Sequence, residues 1–568
     1  MKNINVPVGI SNFEKIRQDG YYYVDKTGLI KDMLKNKIPE VTLITRPRRF
    51  GKTLAMSMLA SFFDIRRDSK KLFQGLNISK EQQLCNDWMN QYPTLFLSFK
   101  DVDGTIFENA LGLLQFTIAE LCKKHTYLIE SDVVDQDDKE TFRKLKSMGS
   151  NLPELQGSII MLMNMMKAYY NKPVILLIDE YDVPIAKASS NGYYKEMLEV
   201  MKAMLSTALK DNEALKFAVV TGCLKIAKES VFTGTNNFVS DTISSERYNE
   251  YYGFTQKDVD QILQDAQIEE KASDIKEWYD GYRFGNVDVY CPWDVVSYLR
   301  SLRTNREAIP QNYWINTSSN AEVKEFIRQS KNLTTKREIE RLMAGESITK
   351  TIHPELTYKE MYESIENIWS VLFATGYLTQ SGQVDARKFK LRIPNLEIRD
   401  IFKTQIMEYF KESVAKDGDM LGRFCKALKN GEEKKVEDIF ESYLKKTISI
   451  RDTFVRKEMK ENFYHGILLG ILGIKEEWGV FSNQETGEGY SDILIETENS
   501  ETAILIEVKY AGDGNLDVAC ERALKQVEER KYDEELRENG VDKILKYGIA
   551  CYMKRCKVKL AEESYIET

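Results

Sequence analysis

An apolar run followed by Arg46-Pro47-Arg48-Arg49-Phe50-Gly51-Lys52-Thr53 could bind phosphate. A loop that ends a strand and opens a helix presents backbone N–H groups to an anion, at the positive end of the helix dipole. In that setting Gly51 lets the backbone turn, Lys52 reaches the β- and γ-phosphates of a nucleotide, and Thr53 holds Mg²⁺ through its hydroxyl. Arg46 stands where such loops usually have their first glycine. Arg46, Arg48 and Arg49 make the loop densely cationic. Phosphate binding, stabilisation of transferring charge in a neighbouring subunit and pairing with acids are all open to them. Arg49 is counted with Gly51, Lys52 and Thr53 as nucleotide-binding. A GKT triplet alone is common by chance. It gains weight from Pro173-Val174-Ile175-Leu176-Leu177-Ile178-Asp179-Glu180, an apolar strand ending in two acids. Asp179 would stand beside Mg²⁺, and Glu180 would polarise the attacking water. Asp182 reads as a cap or turn residue. Thr221 ends the apolar run 217–221, where it could sense a terminal phosphate. Lys225 and Lys228 behind it read first as surface lysines.

A second group could cut phosphodiesters. Glu507 and Lys509 are two apart in Ile504-Leu505-Ile506-Glu507-Val508-Lys509, so on a strand they share one face while Val508 enters the core. Asp492 heads the run before it and could meet Glu507 across a hairpin. Two carboxylates hold Mg²⁺, or alternatively Mn²⁺, through oxygen. The ion lowers the pKa of bound water, and Lys509 orients that water and stabilises the transition state. Glu461, upstream on a helix, is a further candidate ligand, with His465 one turn on as a neighbour. Gln526 and Tyr532 could buttress the site. The bland alternative is an edge strand with a solvated Glu–Lys pair. Lys554, Arg555, Lys557 and Lys559 could touch a phosphate backbone, but a solvated strand face is the commoner reading of such a run.

These residues need elements to place them. Apolar runs at 41–45, 94–99, 174–178 and 217–221 alternate with helical stretches, the pattern of a parallel sheet covered on both faces. The stretch 127–166 reads as a helical insertion. From about 254 to 393 the pattern is mainly helical, and 363–377 followed by 389–393 could be the helix and strand of a winged-helix unit. A charged helical stretch at 395–446 follows. The end of the chain reads as an apolar helix after 457, strands at 491–496 and 503–510, a helix at 516–539 and a strand at 546–553.

The bulk numbers bound the rest. A chain of 568 residues, 42% hydrophobic and 30% charged, is globular and long enough for two to four domains. The longest apolar stretch is too short to span a bilayer, and the first residues lack the apolar core of a signal peptide. Eight scattered cysteines and three histidines suggest reduced thiols in the cytoplasm and argue against a His-rich metal site. From Glu461 onward 13 basic residues face 23 acidic ones, net −10; the remainder has 67 against 65, net +2. A C-terminal module this acidic cannot hold nucleic acid by net charge and needs a local basic strip or help from the first module.

Taken together, these motifs resemble bacterial AAA-ATPase-like proteins that carry a C-terminal PD-(D/E)XK nuclease-superfamily domain. The resemblance covers almost the whole chain. It is carried by Tyr23-Val24-Asp25-Lys26-Thr27, the loop 46–53, Ile178-Asp179-Glu180-Tyr181-Asp182, Ala227-Lys228-Glu229-Ser230-Val231-Phe232, Trp278-Tyr279-Asp280-Gly281-Tyr282-Arg283-Phe284-Gly285 and Ala374-Thr375-Gly376-Tyr377-Leu378. At the nuclease end it rests on Glu461-Asn462-Phe463-Tyr464-His465-Gly466, Ser491-Asp492 and Glu507-Val508-Lys509. It implies that Arg46 is a family trait, and that Ser491 replaces the superfamily's proline without touching the metal ligands. The expected fold is α/β: a P-loop NTPase sheet, a helical or winged-helix lid and a restriction-endonuclease-like domain. The expected division is an ATPase domain at 1–255, a lid region at 256–395, a helical bridge at 396–455 and a nuclease-like domain at 456–568. ATP and Mg²⁺ are the expected cofactors, with Thr53, Asp179, Glu461, Asp492 and Glu507 as metal ligands and Glu180, Asp492, Glu507 and Lys509 as catalytic groups. Nucleic acid, DNA first, is the expected partner, and membranes are not. Assembly with further copies of itself is left open. The alternative is a nucleotide-switched binding or signalling protein whose nuclease-like fold cuts nothing. A nucleic-acid motor is weaker, because no helicase-like motifs accompany the nucleotide site.

Overall fold

The computed structural model describes residues 4–565 except 36–37, 226–237, 315–319, 331–332, 359, 416–417, 448–459, 473–474, 476, 483–484, 487–488, 491–492, 498–501, 530–535, 537–540 and 562–563. It divides into two compact units, Met1–Glu322 with Thr349–Ile398, and Val323–Ile348 with Arg399–Thr568.

The first unit is built on β1 (Val41–Thr45), β2 (Thr94–Ser98), β3 (Val174–Asp179), β4 (Leu215–Gly222) and β5 (Phe238–Asp241). They pair in the order β2-β3-β4-β1-β5, and every pair is parallel. β1 and β3 are buried at every position, which is why they read as unbroken apolar runs. Leu43, Leu176 and Val220 face one core; Ile44, Ile175 and Val219 face the other, beneath the helix Lys52–Phe63. Each such buried Leu, Ile or Val contributes roughly 1.5–3 kcal/mol. With β4 between β1 and β3, the loop after β1, the acids after β3 and the end of β4 meet at one edge of the sheet. Ligands of open parallel sheets gather at that carboxyl edge.

The four strands expected in this half are present. β5 was not foreseen. It has four residues, three of them only half-buried, and its pairing with β1 rather than its composition makes it a strand. The insertion is helical as expected, with helices at Gln136–Lys146, Leu152–Gln156 and Ser158–Tyr170. The helix Ile365–Thr375 leads into an antiparallel hairpin, Thr379–Asp385 with Lys388–Arg392.

The second unit carries a mixed sheet. Gly479–Ser482, Ile493–Glu496 and Thr502–Tyr510 are antiparallel neighbours. Thr502–Tyr510 then pairs in parallel with Lys543–Tyr552, whose other side meets Arg555–Leu560. Ile493, Ile504, Ile506 and Val508 face a core shared with the helices Gly418–Lys429, Glu433–Thr447 and Lys460–Leu472. Leu494 and Leu505 face the other side, with Val527 of the helix Leu516–Glu529. Both units are α/β. All eight cysteines are free, and among the described residues no helix is long and apolar enough to cross a membrane.

Candidate nucleotide and nuclease sites

Each residue of the loop 46–53 has its own anchor. Arg46 is fully buried. Its guanidinium donates to the carbonyls of Thr45 (2.8 Å), Asp241 (2.9 Å) and Arg247 (3.3 Å) and to Asn249 Oδ1 (2.8 Å). It also lies 5.3 Å from the Tyr252 ring centroid and 5.6 Å from that of Phe284. Burial pushes its pKa down to about 10. The residue that replaces the usual glycine is therefore a brace between β1, β5 and the segment 247–252. Arg46→Ala strands four acceptors and is expected to destabilise the first unit by about 2–4 kcal/mol, seen as a lower urea midpoint. Arg46→Gly, which restores the common loop residue, should do no better.

Pro47 touches the position of Gly376, where an added Cβ would come within 2.9 Å of the proline ring and where φ is +90°. The guanidinium of Arg49 stacks over Trp293 at 4.2 Å. Close by, burial raises the carboxyl of Asp294, to about 6, and that of Glu397 well above its ordinary range; the neighbouring Asp294 raises Glu397 further, so Glu397 retains a proton. Glu397 Oε1 accepts from the backbone of Tyr313 and Trp314 at 2.6 and 2.8 Å. Phe50 is fully buried against Tyr282, Phe284 and Trp314. The block 278–285, whose role the sequence left open, thus packs around the loop.

At the helix start Gly51 has φ +80° and supplies no side-chain cap, so the first N–H groups of Lys52–Phe63 face the cleft unspent by a cap. Lys52 Nζ donates to the carbonyls of Arg46 and Pro47, both at 2.9 Å. The Thr53 hydroxyl donates to Asp179 Oδ2 at 2.9 Å, and Thr221 donates to Asp179 Oδ1 at 2.6 Å. Ser98, which sequence reasoning missed, also reaches Asp179 Oδ2, at 3.3 Å. The oxygen donors Thr53, Ser98 and Asp179 fit a small hard cation such as Mg²⁺.

Glu180 sits at φ +53°, a left-handed backbone that costs a non-glycine residue about 1–3 kcal/mol. The Tyr181 N–H holds the turn by donating to the Thr221 carbonyl at 3.1 Å. Burial raises the Glu180 carboxyl above the usual glutamate range, against the pull of nearby Lys52. Asp182 is more than a turn residue. It is 2% exposed and accepts from the N–H groups of Cys223 and Leu224 at 2.9 and 3.0 Å. Lys225 pairs with Glu355, while Lys228 and the block 227–232 lie outside the described residues. The N-terminal signature is a tether: Asp25 accepts from Thr27 and the Asn77 N–H, and Lys26 pairs with Asp258 at 2.6 Å.

Between these groups lies a cleft of about 620 Å³. Its lining includes the polar Lys52, Thr53, Glu180 and Asp182 and the apolar or aromatic Val6, Tyr23, Phe254, Trp293 and Val296.

In the second unit, Glu507 is 1% exposed, and Lys509 Nζ donates to its Oε1 at 3.1 Å. Gln526 donates to the same oxygen. Lys509 also lies 3.6 Å from Glu461 Oε2, and Glu461 Oε1 accepts from the Tyr510 N–H at 3.3 Å. The structure therefore brings together Glu461, Glu507, Lys509 and Gln526, and Val508 enters the core as its alternation requires. Asp492 and Tyr532 lie outside the described residues. The described ladder begins with Ile493 opposite Ile506. Among the described residues no three His, Cys, Asp or Glu side chains converge as a metal centre. Glu461 and Glu507 are nonetheless the oxygen donors a Mg²⁺ or Mn²⁺ site takes. His465 meets Ser482 at 3.2 Å. Lys557 pairs with Glu437 and Lys559 with Glu521, so the basic run at 554–559 spends those charges on acids of its own unit.

Residues 7–232 match a family described as a predicted AAA-ATPase, and residues 459–561 match the PD-(D/E)XK nuclease superfamily. A protein of Azotobacter chroococcum, described as an uncharacterized protein in the vnfD 5' region, is 27% identical over 418 residues, covering 72% of each chain. The resemblance inferred from the sequence motifs is borne out for both modules.

Proposed function

We propose that this chain, ATPase-like in its first half and nuclease-like at its end, binds and hydrolyses ATP and cuts nucleic acid, DNA first, with Mg²⁺. The observation that carries the nucleotide half is the convergence of Lys52, Thr53 and Glu180 on one cleft that apolar side chains also line, with Asp179 bonded to Thr53 behind them. In this reading the phosphates lie at Lys52, where the lysine exchanges two loop carbonyls for phosphate oxygens. The base packs on the apolar lining beside Trp293. Thr53, Ser98 and Asp179 would hold Mg²⁺, which neutralises phosphate charge. Glu180 would accept the proton of the attacking water.

At the second site Glu507 and Glu461, with Asp492, would hold the divalent ion that activates water and neutralises the scissile phosphate. Lys509 would leave Glu507 for the phosphodiester and steady its developing charge. Because this region is net acidic, DNA would have to be engaged through local contacts rather than net charge, and that balance favours the non-cleaving alternative. Both sites in one chain support gating of cleavage by nucleotide.

The test is cleavage of DNA and RNA panels with Mg²⁺ or Mn²⁺, with and without ATP. Wild type is compared with Asp492→Ala and Lys52→Ala. Cleavage above the Asp492→Ala background that changes with ATP and is insensitive to ATP in Lys52→Ala supports the proposal. Nucleotide-dependent binding with intact substrate would favour the non-cleaving switch instead.

A further inference from the structure

The geometry points to Arg48 as a catalytic arginine supplied in cis by the phosphate loop itself. The inference rests on the ATP-hydrolysing reading above and names a group that reading does not use.

The three loop arginines look equivalent in sequence, and the fold separates them. Arg46 spends its donors on four oxygens beneath the sheet edge. Arg49 lines the cleft, but its guanidinium sits over the Trp293 ring, 4.2 Å from the centroid. Arg48 lines the cleft and makes no hydrogen bond or ion pair with another described residue. Cys223, Glu322, Tyr377 and Asp182, which line the same cleft, are the ionisable groups nearest to it. Glu180, which would take the proton of the attacking water, feels the charges of both Lys52 and Arg48. Lys52 Nζ is 3.6 Å from Cys223 Sγ, so the Cys223 side of the cleft is the side on which the terminal phosphate would sit. Arg48 is thus a planar fork of donors, unspent among the described residues, in the cleft that Lys52, Glu180 and Cys223 also line.

Its role follows from the bond changes. Water oxygen forms a bond to the γ-phosphorus and gives a proton to Glu180. The bond between that phosphorus and the bridging oxygen breaks, and its electron pair leaves on ADP. Charge grows on the bridging and γ-oxygens, where a guanidinium that already stands in the cleft needs little rearrangement to donate. Because the group comes from the phosphate loop of the same chain, no second subunit is required to supply it.

The test uses the full chain, with turnover, KM and binding of a fluorescent ATP analogue measured for wild type, Arg48→Ala and Arg48→Lys. Turnover of Arg48→Ala should fall about 10²–10³-fold, while ATP affinity changes less than about fivefold. Arg48→Lys, which keeps charge without the fork, should recover part of the loss. Tight binding of ADP with aluminium fluoride, a mimic of the transferring phosphoryl group, should be lost in Arg48→Ala. Mixing Arg48→Ala with Lys52→Ala chains should restore nothing. Turnover of Arg48→Ala within about threefold of wild type overturns the assignment. So does a loss of ATP affinity that matches the loss of turnover, or rescue on mixing, which would place the arginine in a neighbour's site. A wild-type chain that binds ATP without hydrolysing it overturns the hydrolytic reading as well.

Discussion

Glu180→Gln is expected to lower ATP turnover by about 10²–10⁴-fold while ATP still binds. The substitution keeps the size of the side chain and its reach into the cleft, and removes only the ability to take a proton. The backbone at this residue is already held at φ +53° by the Tyr181 bond to Thr221, so the glutamine should occupy the same place. Binding should survive because Lys52, Thr53 and the uncapped helix start are untouched. The pH profile gives a second readout. Burial raises the Glu180 carboxyl, so the protonated, inactive form persists to higher pH than for an exposed glutamate. Turnover should therefore fall as pH drops through that raised value. The acid limb of the profile should lie above the ordinary glutamate pKa of about 4.3 and vanish in Glu180→Gln. Turnover in Glu180→Gln close to wild type would remove Glu180 as the base.

Glu507→Gln is expected to reduce metal-dependent cleavage by about 10²–10⁴-fold, with ATP turnover unchanged. Glu507 is almost fully buried and is gripped by Lys509 and Gln526, so a neutral amide of the same shape fits the space while losing the negative charge a cation requires. The metal requirement should shift with it, seen as a higher Mn²⁺ concentration for half-maximal cleavage. Lys509→Ala should also cut turnover but leave that concentration nearly unchanged, since an ammonium group does not ligate a metal. Equal cleavage by wild type and Glu507→Gln would mean that this carboxyl is only a structural partner of Lys509.

Much of this was legible in the chain because it is local. The phosphate loop and the acids after β3 are contiguous strings, and alternation along Ile504-Leu505-Ile506-Glu507-Val508-Lys509 places Glu507 and Lys509 on one side and Val508 on the other. Unbroken apolar runs marked β1 and β3 because both faces of those strands are covered. β5 escaped because an edge strand of four residues needs no apolar run, only a partner. Ser98 escaped because a serine at a strand end carries no signal until its neighbour is known to be Asp179.

The sequence by itself determined which residue types could hold phosphate and metal, the order of the two modules and the α/β class, since these depend on short runs and their periodicity. The tertiary structure alone decided what each loop arginine does. Arg46 is held by partners about two hundred residues away, Asp241 and Asn249, Arg49 sits over Trp293 in the lining of the cleft, and Arg48 lines the same cleft with no hydrogen bond or ion pair to another described residue. Identical side chains differ only in what the fold sets beside them.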